Sequence, residues 1–538
     1  MKIKISREWL FVLLWSAFVV LLANIPYIYG YAIAPPDKVF MGDARCFIDT
    51  NTYLAWMHQA SDGHILFKDI YTTEPHSRMF FHPFFLLLGN VARFTGLSLI
   101  TVHGAARVIC GFFLLLLCYG FVSYFIEGAF ERSVAFILIS ISGGLGWLNI
   151  FPTINSIPES WFLTGWIEGN TFLSIYALPL FSASVIMLLS TFFFMLRSFE
   201  EKKAVYSIYA GTICFFLIFT HFFDALIVYP VLAAYVIIRY LISQDFDRLK
   251  TDTGLFAIMF ALSSPAAFYD WWASMANPVF HEHAWKGAIT LSPGFIWYLG
   301  GLGFVGIFAV LGIVKTLFDA EKDKALFNRR VFLIVWALSV PFLVYMPIAF
   351  QRRLVEGVHV PVAILCAIGL FYLVKKFSVD PKTLALILIL AVLPNSLYVL
   401  HKDMDYLRKN AEARSMAGFL DKDILEGFYW LKGNTKREDV VICDYETGNY
   451  IPAVSGNTVF IGHSPETINF EQKWAATKAF FSGDTDDEVR RNILKASTAK
   501  YLFYCWKERV LGGFDPAGAS YLKLVYNNPT AMIYEVNL

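Results

Sequence analysis

Long apolar segments separated by short polar ones fill the first 400 residues of the chain. A helix that crosses a hydrocarbon core of about 30 Å needs roughly 20 apolar residues. By that criterion the pattern predicts an α-helical polytopic membrane protein with about eleven transmembrane helices. The predicted spans are 9–31, 103–126, 133–151, 171–196, 204–220, 222–240, 253–269, 293–316, 331–350, 355–375 and 382–400.

Two apolar segments, the N-terminal one and 80–94, have features that are not typical of an ordinary membrane span. The N-terminus has the basic flank of a signal peptide, but its apolar run is too long and lacks a small-residue cleavage site, so we predict an uncleaved first span. The segment 80–94 is interrupted by Pro83, Gly89 and Arg93. Its short uninterrupted length is typical of a re-entrant or interfacial helix rather than a span.

The distribution of Lys and Arg predicts the orientation, because cytoplasmic loops hold the excess of positive charge. With the N-terminus inside, the inner segments contain 18 basic residues, and the outer loops after the third, fifth, seventh and ninth spans contain 3. Counting 80–94 as a span would reverse this distribution. The first loop, 32–102, and the C-terminus are therefore predicted to lie outside the cytoplasm, in a protein of the plasma (cytoplasmic) membrane.

The composition changes near residue 401, where charged residues return and apolar runs shorten to strand length. Alternating strand-like and helix-like patterns predict a transmembrane domain over 1–400, followed by an extracytoplasmic α/β domain over 401–538. The predicted strands include VVICD, TVFIGH and AKYLFYC, and the segment LKLVYNNPTAMIYEV is predicted to close as a hairpin. Cys443 and Cys505 lie at strand ends, where either a disulfide or two buried thiols would fit.

Composition and motifs exclude several classes of function. The chain is 57% hydrophobic and carries a net charge of +1 without a basic tract, which argues against nucleic acid as a partner. It contains no P-loop, GxGxxG or HExxH, so a nucleotide-driven pump is disfavoured. Its seven cysteines show no metal-ligand spacing. The cofactor is thus unknown, and although a divalent metal would suit the carboxylates of the chain, nothing in the sequence indicates one.

The polar stretch 42–75 after the first span holds the candidate catalytic residues. Asp49 and Tyr53 are four residues apart in a segment predicted to be helical over 49–60. Asp49 near the helix N-terminus is interpreted first as an N-cap, and second as a base that takes a proton from an acceptor. Asp43 is the alternative base, and Glu74 is the third carboxylate of this stretch.

Arg352 and Arg353 follow the ninth predicted span on its outer side, against the positive-inside trend. Lipid headgroups could account for them. Two adjacent guanidinium groups are, however, well matched to a phosphate or pyrophosphate. We therefore favour lipid-phosphate binding, with Glu356 and His359 as residues that could orient the pair.

Three further residues are candidates for substrate binding. His221 and Asp224 interrupt a long apolar stretch between the fifth and sixth spans, and polar residues buried at that depth would indicate function. Trp285 lies in the aromatic outer loop 263–293, where an aromatic belt or a platform for a sugar face would each explain it. His281 and His283 in this loop alternate with Glu282, a pattern that indicates zinc only weakly.

Taken together, these features resemble the GT-C class of integral membrane glycosyltransferases. The resemblance rests on the cytoplasmic N-terminus, Asp49 followed by Tyr53 in the first outer loop, and interfacial helices before the second span. It also rests on the outer sequence Gln351, Arg352 and Arg353, and on an extracytoplasmic C-terminal domain containing ETGNYIPAVSG and IGHSPET.

The resemblance implies transfer of a sugar from a polyprenyl-phosphate-linked donor to a glycan, lipid or protein acceptor at the extracytoplasmic face. Asp49 would then correspond to the acidic catalytic residue of the class, and Arg352, with Arg353, to the residues that hold the lipid phosphate. The class often has paired acidic residues in this loop, whereas Asp43 and Asp49 are six apart. Two alternatives stay open: a flippase or transporter of lipid-linked sugars, and a non-enzymatic envelope-assembly protein.

Overall fold

The computed structural model describes residues 6–151, 167–283, 289–319 and 323–538. Helices dominate, and short 3-10 helices occur at Gly146–Ile150, Phe222–Asp224, Gln351–Val355 and Pro516–Gly518. The α-helices are α1 (Arg7–Ile33), α2 (Phe47–Ser61), α3 (Pro83–Thr95), α4 (Leu99–Phe125), α5 (Ala129–Ile141), α6 (Thr171–Ala177), α7 (Pro179–Glu201), α8 (Ala204–Thr220), α9 (Ala225–Ser243), α10 (Phe246–Ala276), α11 (Pro278–Glu282), α12 (Phe295–Phe318), α13 (Lys324–Leu343), α14 (His359–Phe377), α15 (Pro381–Val392), α16 (Pro394–Glu412), α17 (Lys422–Asn434), α18 (Tyr445–Val454), α19 (Phe470–Phe481), α20 (Asp487–Ser497) and α21 (Trp506–Leu511). The strands are β1 (Lys38–Phe40), β2 (Phe419–Asp421), β3 (Val440–Ile442), β4 (Ala499–Tyr504), β5 (Leu522–Asn527) and β6 (Met532–Val536).

Within the described residues, eight helices are long and apolar enough to cross a membrane. The chain is thus a multi-pass helical membrane protein, although the predicted number of eleven spans is not confirmed. The remaining predicted spans correspond to α5, α8 and α10, of which α5 has 13 residues and α8 has 17. The eight helices run over Arg7–Ile33, Leu99–Phe125, Pro179–Glu201, Phe222–Ser243, Phe295–Phe318, Lys324–Leu343, Gln351–Phe377 and Pro381–Glu412.

The residues group into two compact units, each described by itself below. The helical unit comprises Met1–Pro26, Ala105–Asp270 and Ile289–Asp403. The mixed unit comprises Tyr27–Gly104, Trp271–Ala288 and Met404–Leu538. The division predicted at residue 400 is a separate hypothesis that this grouping does not test.

Helices α12 and α14 of the helical unit pack closely through glycines. A Cβ atom added at Gly312 would overlap the backbone oxygen of Leu365, and one added at Gly369 would overlap that of Phe308. Small residues let helix backbones approach in this way, and such contacts are a main source of helix association in membranes.

The mixed unit joins the first loop to the C-terminal segment. Strand β1 from the loop pairs antiparallel with β2, so that Val39 lies opposite Leu420. One apolar core contains Met41 and Tyr71 from the loop together with Phe428 and Phe503 from the C-terminal segment. The segment after residue 404 therefore shares this core with the loop, and it buries a second apolar core, which includes Ile442, Phe480 and Leu502, from its own residues.

The C-terminal elements largely follow the sequence pattern. A four-stranded sheet has the order β3-β4-β6-β5, in which β3 and β4 are parallel and β5 and β6 form the predicted hairpin. The predicted strand TVFIGH is wrong, because among these residues only Val459 forms a bridge, to Val441. Cys443 and Cys505 are buried free thiols, so the disulfide interpretation is not supported.

The glycine contact predicts a position-specific loss of stability. Gly369→Ala should lower the free energy of unfolding by about 1–3 kcal/mol, because the added methyl group forces two backbones apart. Gly300→Ala in α12 is the matched control, since nothing lies within 4 Å of a Cβ there. Thermal unfolding of both variants in detergent checks this, and equal melting temperatures would contradict the close approach.

Candidate functional site

Asp43 is a buried residue that organises the start of α2. It is 2% exposed. Its Oδ1 accepts hydrogen bonds from the backbone N–H groups of Arg45 (2.7 Å) and Cys46 (2.6 Å), and Thr50 donates to its Oδ2. Burial raises the pKa of the Asp43 carboxyl. Its contacts hold the turn that leads into the helix.

Asp49 lies on the surface of the same helix. The predicted helix over 49–60 is confirmed as α2, but the capping position is Cys46, so the interpretation of Asp49 as the N-cap is wrong. Its side chain is 57% exposed, and Oδ1 lies 3.4 Å from Nε2 of His463, a histidine that is itself 6% exposed. One turn further on, the ring of Tyr53 stacks on Phe85 at 4.7 Å between ring centroids. An accessible carboxylate therefore stands beside a buried imidazole.

Glu74 is held by a cation from the C-terminal segment. Nζ of Lys473 lies 2.6 Å from Oε2 of Glu74, and Thr72 donates a hydrogen bond to the same oxygen. Partial burial acts to raise the pKa of Glu74, but the hydrogen bonds from Lys473 and Thr72 outweigh it and lower that pKa. The ion pair leaves Glu74 less suited than Asp49 to accept a proton.

Arg352 and Arg353 lie on the 3-10 helix Gln351–Val355 of the helical unit. Gln351 anchors this turn, since its Oε1 accepts from the N–H of Ser292 at 3.1 Å and its Nε2 donates to the backbone oxygen of Met346 at 2.8 Å. The guanidinium of Arg353 lies 4.6 Å from the ring centroid of Phe223. The Nε atoms of both arginines are buried without a hydrogen-bond partner among the described residues, and such donors are suited to an anion.

His221 and Asp224 are buried in the helical unit, where they meet Glu356. Nδ1 of His221 lies 3.2 Å from Oδ1 of Asp224 and 3.0 Å from Oε2 of Glu356. The expectation that Glu356 and His359 orient the arginine pair is wrong. Glu356 faces His221, while the ring nitrogens of His359 lie 2.9 Å from Ser142 Oγ and 3.1 Å from Thr171 Oγ1.

A second cluster lies in the mixed unit. Nε2 of His283 is 3.4 Å from Oδ2 of Asp69, and its Nδ1 is 3.3 Å from Oε2 of Glu466. Burial alone would lower the pKa of His283, but the two carboxylates raise it. A cavity of about 440 Å³ borders this cluster, lined by Glu282, His283, Ser464, Pro465 and residues 467–472.

Several of these partners were not identified from the sequence. His463 and Lys473 come from the C-terminal segment, about 400 residues after the first-loop residues that they contact, and Glu466 of the same segment contacts His283. The sequence IGHSPET, which contains His463 and Glu466, was the available signal. Trp285 lies outside the described residues, so its predicted role stays a prediction.

The two loop aspartates are expected to differ in their contribution to stability. Asp43→Ala removes the acceptor of two backbone N–H groups and one hydroxyl in a buried position and should cost about 2–4 kcal/mol. Asp49→Ala, at an exposed position, should change the free energy of unfolding by less than about 0.5 kcal/mol. Unfolding curves of the two variants in detergent check this difference. Equal losses would mean that Asp43 does not hold the turn.

The sequence matches no protein-family model, and no curated protein matches it. Solved structures do share its fold. The oligosaccharyltransferase of Archaeoglobus fulgidus in complex with Zn and sulfate is 14% identical with a TM-score of 0.57, over 98% of this chain and 73% of that one. The same enzyme, AglB, with an inhibitory peptide and a dolichol-phosphate is 13% identical with a TM-score of 0.51, over 97% and 74%. ArnT from Cupriavidus metallidurans bound to undecaprenyl phosphate is 12% identical with a TM-score of 0.50, over 97% of both chains. The predicted GT-C-like fold class is therefore confirmed.

Proposed function

We propose that this chain is a membrane glycosyltransferase that moves a sugar from a polyprenyl-phosphate-linked donor to an acceptor. The observation that carries the proposal is the exposed Asp49 carboxylate beside the buried His463 imidazole. The shared fold supports it, because AglB and ArnT have been solved with dolichol-phosphate and undecaprenyl phosphate, respectively. We propose that the transferred sugar is a hexosyl or pentosyl group and that the acceptor is a glycan, a lipid or a protein.

Asp49 is the base of the proposed reaction. Its carboxylate takes the proton of the acceptor nucleophile as that nucleophile bonds to the anomeric carbon, while the bond from this carbon to the phosphate oxygen breaks and the lipid phosphate leaves. Asp43 supports the turn from a buried position, and Glu74 is neutralised by Lys473, so neither is as available as Asp49. The distance of 3.4 Å to His463 exceeds an ordinary hydrogen bond, and catalytic contacts of this kind often shorten only when substrate binds.

Arg352 and Arg353 are proposed to bind the donor phosphate. The donor carries one negative charge on its phosphate diester, and the leaving lipid phosphate carries more, so guanidinium groups stabilise the departure as well as the binding. Tyr53, on the same helix face as Asp49, and Trp285 are proposed to contact the sugar. His221 and Asp224 are proposed to act close to substrate through the buried cluster that they form with Glu356.

The proposed location is the extracytoplasmic face of the plasma membrane, with a cytoplasmic N-terminus. The charge distribution of the loops puts the first loop, the loop 263–293 and the C-terminal segment on one side. Packing within the mixed unit supports this, since Nδ2 of Asn277 donates a hydrogen bond to the backbone oxygen of Ser77, and β1 pairs with β2. The expected surroundings are membrane lipids and the lipid-linked donor.

The base is tested by sugar transfer with purified protein in nanodiscs and a panel of polyprenyl-phosphate sugars. Asp49→Asn should reduce kcat at least about a hundredfold, and His463→Asn about tenfold, within the range typical of a lost proton acceptor. Asp484→Asn, an exposed aspartate in another loop, is the control and should keep full activity. Full turnover by a folded Asp49→Asn protein would reject Asp49 as the base and shift that role to Asp43 or Glu74. Absence of transfer by the wild type with every donor, while donor binding still depends on Arg352, would favour a transporter of lipid-linked sugars.

The arginine pair is tested by varying the donor concentration. Arg352→Ala should lower kcat/KM for the donor about 10- to 100-fold, because one charge-assisted hydrogen bond contributes about 1.5–3 kcal/mol. Arg329→Ala is the matched control, since Arg329 is paired with Glu200 at 2.6 Å. Equal effects of the two substitutions would indicate a general loss of lipid attraction instead of a specific phosphate contact.

A further inference from the structure

Three ionisable side chains converge in the interior of the helical unit. His221, Asp224 and Glu356 are 5%, 0% and 0% exposed. His221 follows α8, Asp224 ends the 3-10 helix before α9, and Glu356 ends the turn that follows the arginine pair. One ligand atom from each residue lies within 4.8 Å of the other two. Two turns of the chain, one with His221 and Asp224 and the other with Glu356, thus direct their polar groups to one point.

The charges at this point do not balance. Two carboxylates face one imidazole, which carries at most a single positive charge. In the described part of the chain, no lysine or arginine forms an ion pair with Asp224 or Glu356. Burial of an uncompensated carboxylate is strongly unfavourable, so a further positive charge is expected at this site.

The hydrogen bonds of the cluster are also incomplete. Nε2 of His221 and Oδ2 of Asp224 are buried and have no hydrogen-bond partner among the described residues. The other oxygen of Glu356, Oε1, accepts a hydrogen bond from Ser184 Oγ. Ser184 fixes the rotation of the carboxylate and leaves Oε2 directed at His221, 3.0 Å away.

We propose that His221, Asp224 and Glu356 bind a divalent transition-metal ion. A 2+ ion would neutralise both carboxylates while His221 stays neutral. Ligands held about 2.0–2.2 Å from a common metal lie roughly 3 Å apart, and the two measured separations of 3.0 and 3.2 Å are of that size. One imidazole nitrogen with two carboxylate oxygens favours Zn²⁺ or Mn²⁺ over Mg²⁺, which prefers oxygen ligands and retains several waters.

Ser184 acts as a positioning residue in this site. Its hydroxyl donates a hydrogen bond to Glu356 and orders a carboxylate that would otherwise rotate. Partners of metal ligands typically change metal affinity about 10- to 100-fold when they are removed. Ser184→Ala is therefore expected to weaken binding within that range without abolishing it, and Ser184→Thr, which retains the hydroxyl, should restore it.

The test is metal binding by the purified full-length protein after removal of metal with EDTA. Titration with Mn²⁺, followed by electron paramagnetic resonance of the free ion, should give one site per chain in the wild type. Glu356→Gln and Asp224→Asn should lose this site. His359→Asn is the matched control, because His359 is a buried histidine of the same unit whose partners are hydroxyl groups.

Melting temperatures supply a second measurement. Mn²⁺ or Zn²⁺ should raise the melting temperature of the wild type and of His359→Asn, but not that of Glu356→Gln. In EDTA, Glu356→Gln should melt at or above the temperature of the wild type, because it removes one of two facing carboxylates. A lower melting temperature of Glu356→Gln in EDTA, with no response of the wild type to metal, would overturn the proposal and leave a protonated histidine between two carboxylates.

Metal bound at the second cluster, formed by Asp69, His283 and Glu466, must be distinguished from metal bound at this site. The titration is therefore repeated in a His283→Ala background, which removes the shared ligand of Asp69 and Glu466. Mn²⁺ binding that persists in the His283→Ala background supports the proposal. Mn²⁺ binding that is lost in His283→Ala but retained in Glu356→Gln would overturn it. These measurements detect metal and stability only, so their outcome is independent of whether sugar transfer is found.

Discussion

Charge buried in the helical unit has to be compensated within the protein, because neither hydrocarbon nor a packed core provides the solvation of water. The pair Arg239 and Asp252 meets this requirement directly, with 2.9 Å between Nε and Oδ2 and both side chains at most 5% exposed. In this pair one positive and one negative charge balance each other. The carboxylates around His221 and the neighbouring arginine pair are different, because within the described chain each group lacks the opposite charge that would complete it. We interpret incomplete compensation as the mark of function in this unit.

The same distinction separates the acidic residues of the first loop. Asp43 is satisfied by backbone N–H groups and a hydroxyl, and Glu74 is satisfied by Lys473. Of the three, only Asp49 has an exposed carboxylate beside a buried imidazole, that of His463. The oxygens of Asp43 and Glu74 are already bound by donors, so the contacts of each residue distinguish these three better than their spacing in the sequence.

The elements that depend on local pattern were predicted well from the sequence. Helix α2, the hairpin of β5 and β6 and most of the long apolar helices follow from periodicity and length, which neighbouring residues determine. The predicted strand TVFIGH fails because its β propensity is overridden by the packing around it, where Val459 forms one bridge only. The split of 171–196 into α6 and α7 occurs at Leu178 and Pro179, since the residue before proline avoids the helical region.

The candidate site was predictable only in part, because its partners are distant in sequence. Asp49, Arg352 and Arg353 were identified by residue type and position relative to the spans. The contacts of His463 with Asp49, and of Glu356 with His221, join residues separated by more than 130 positions. A single sequence contains no periodicity that links such residues. The prediction that Asp49 caps its helix was wrong because the helix begins earlier, with its N-cap three residues before Asp49, at Cys46.

The pairing of β1 with β2 has a consequence for how the protein is made. Lys38 lies opposite Asp421, so nearly four hundred residues are synthesised after β1 before its partner strand exists. The loop residues Met41 and Tyr71, which belong to the shared core, remain without most of their neighbours through this period. Contacts of such sequence separation form late and slowly. The mixed unit should therefore assemble only after the last helices are in the membrane, and a chain that stops before residue 419 would leave its first loop as an exposed apolar surface for quality-control proteases.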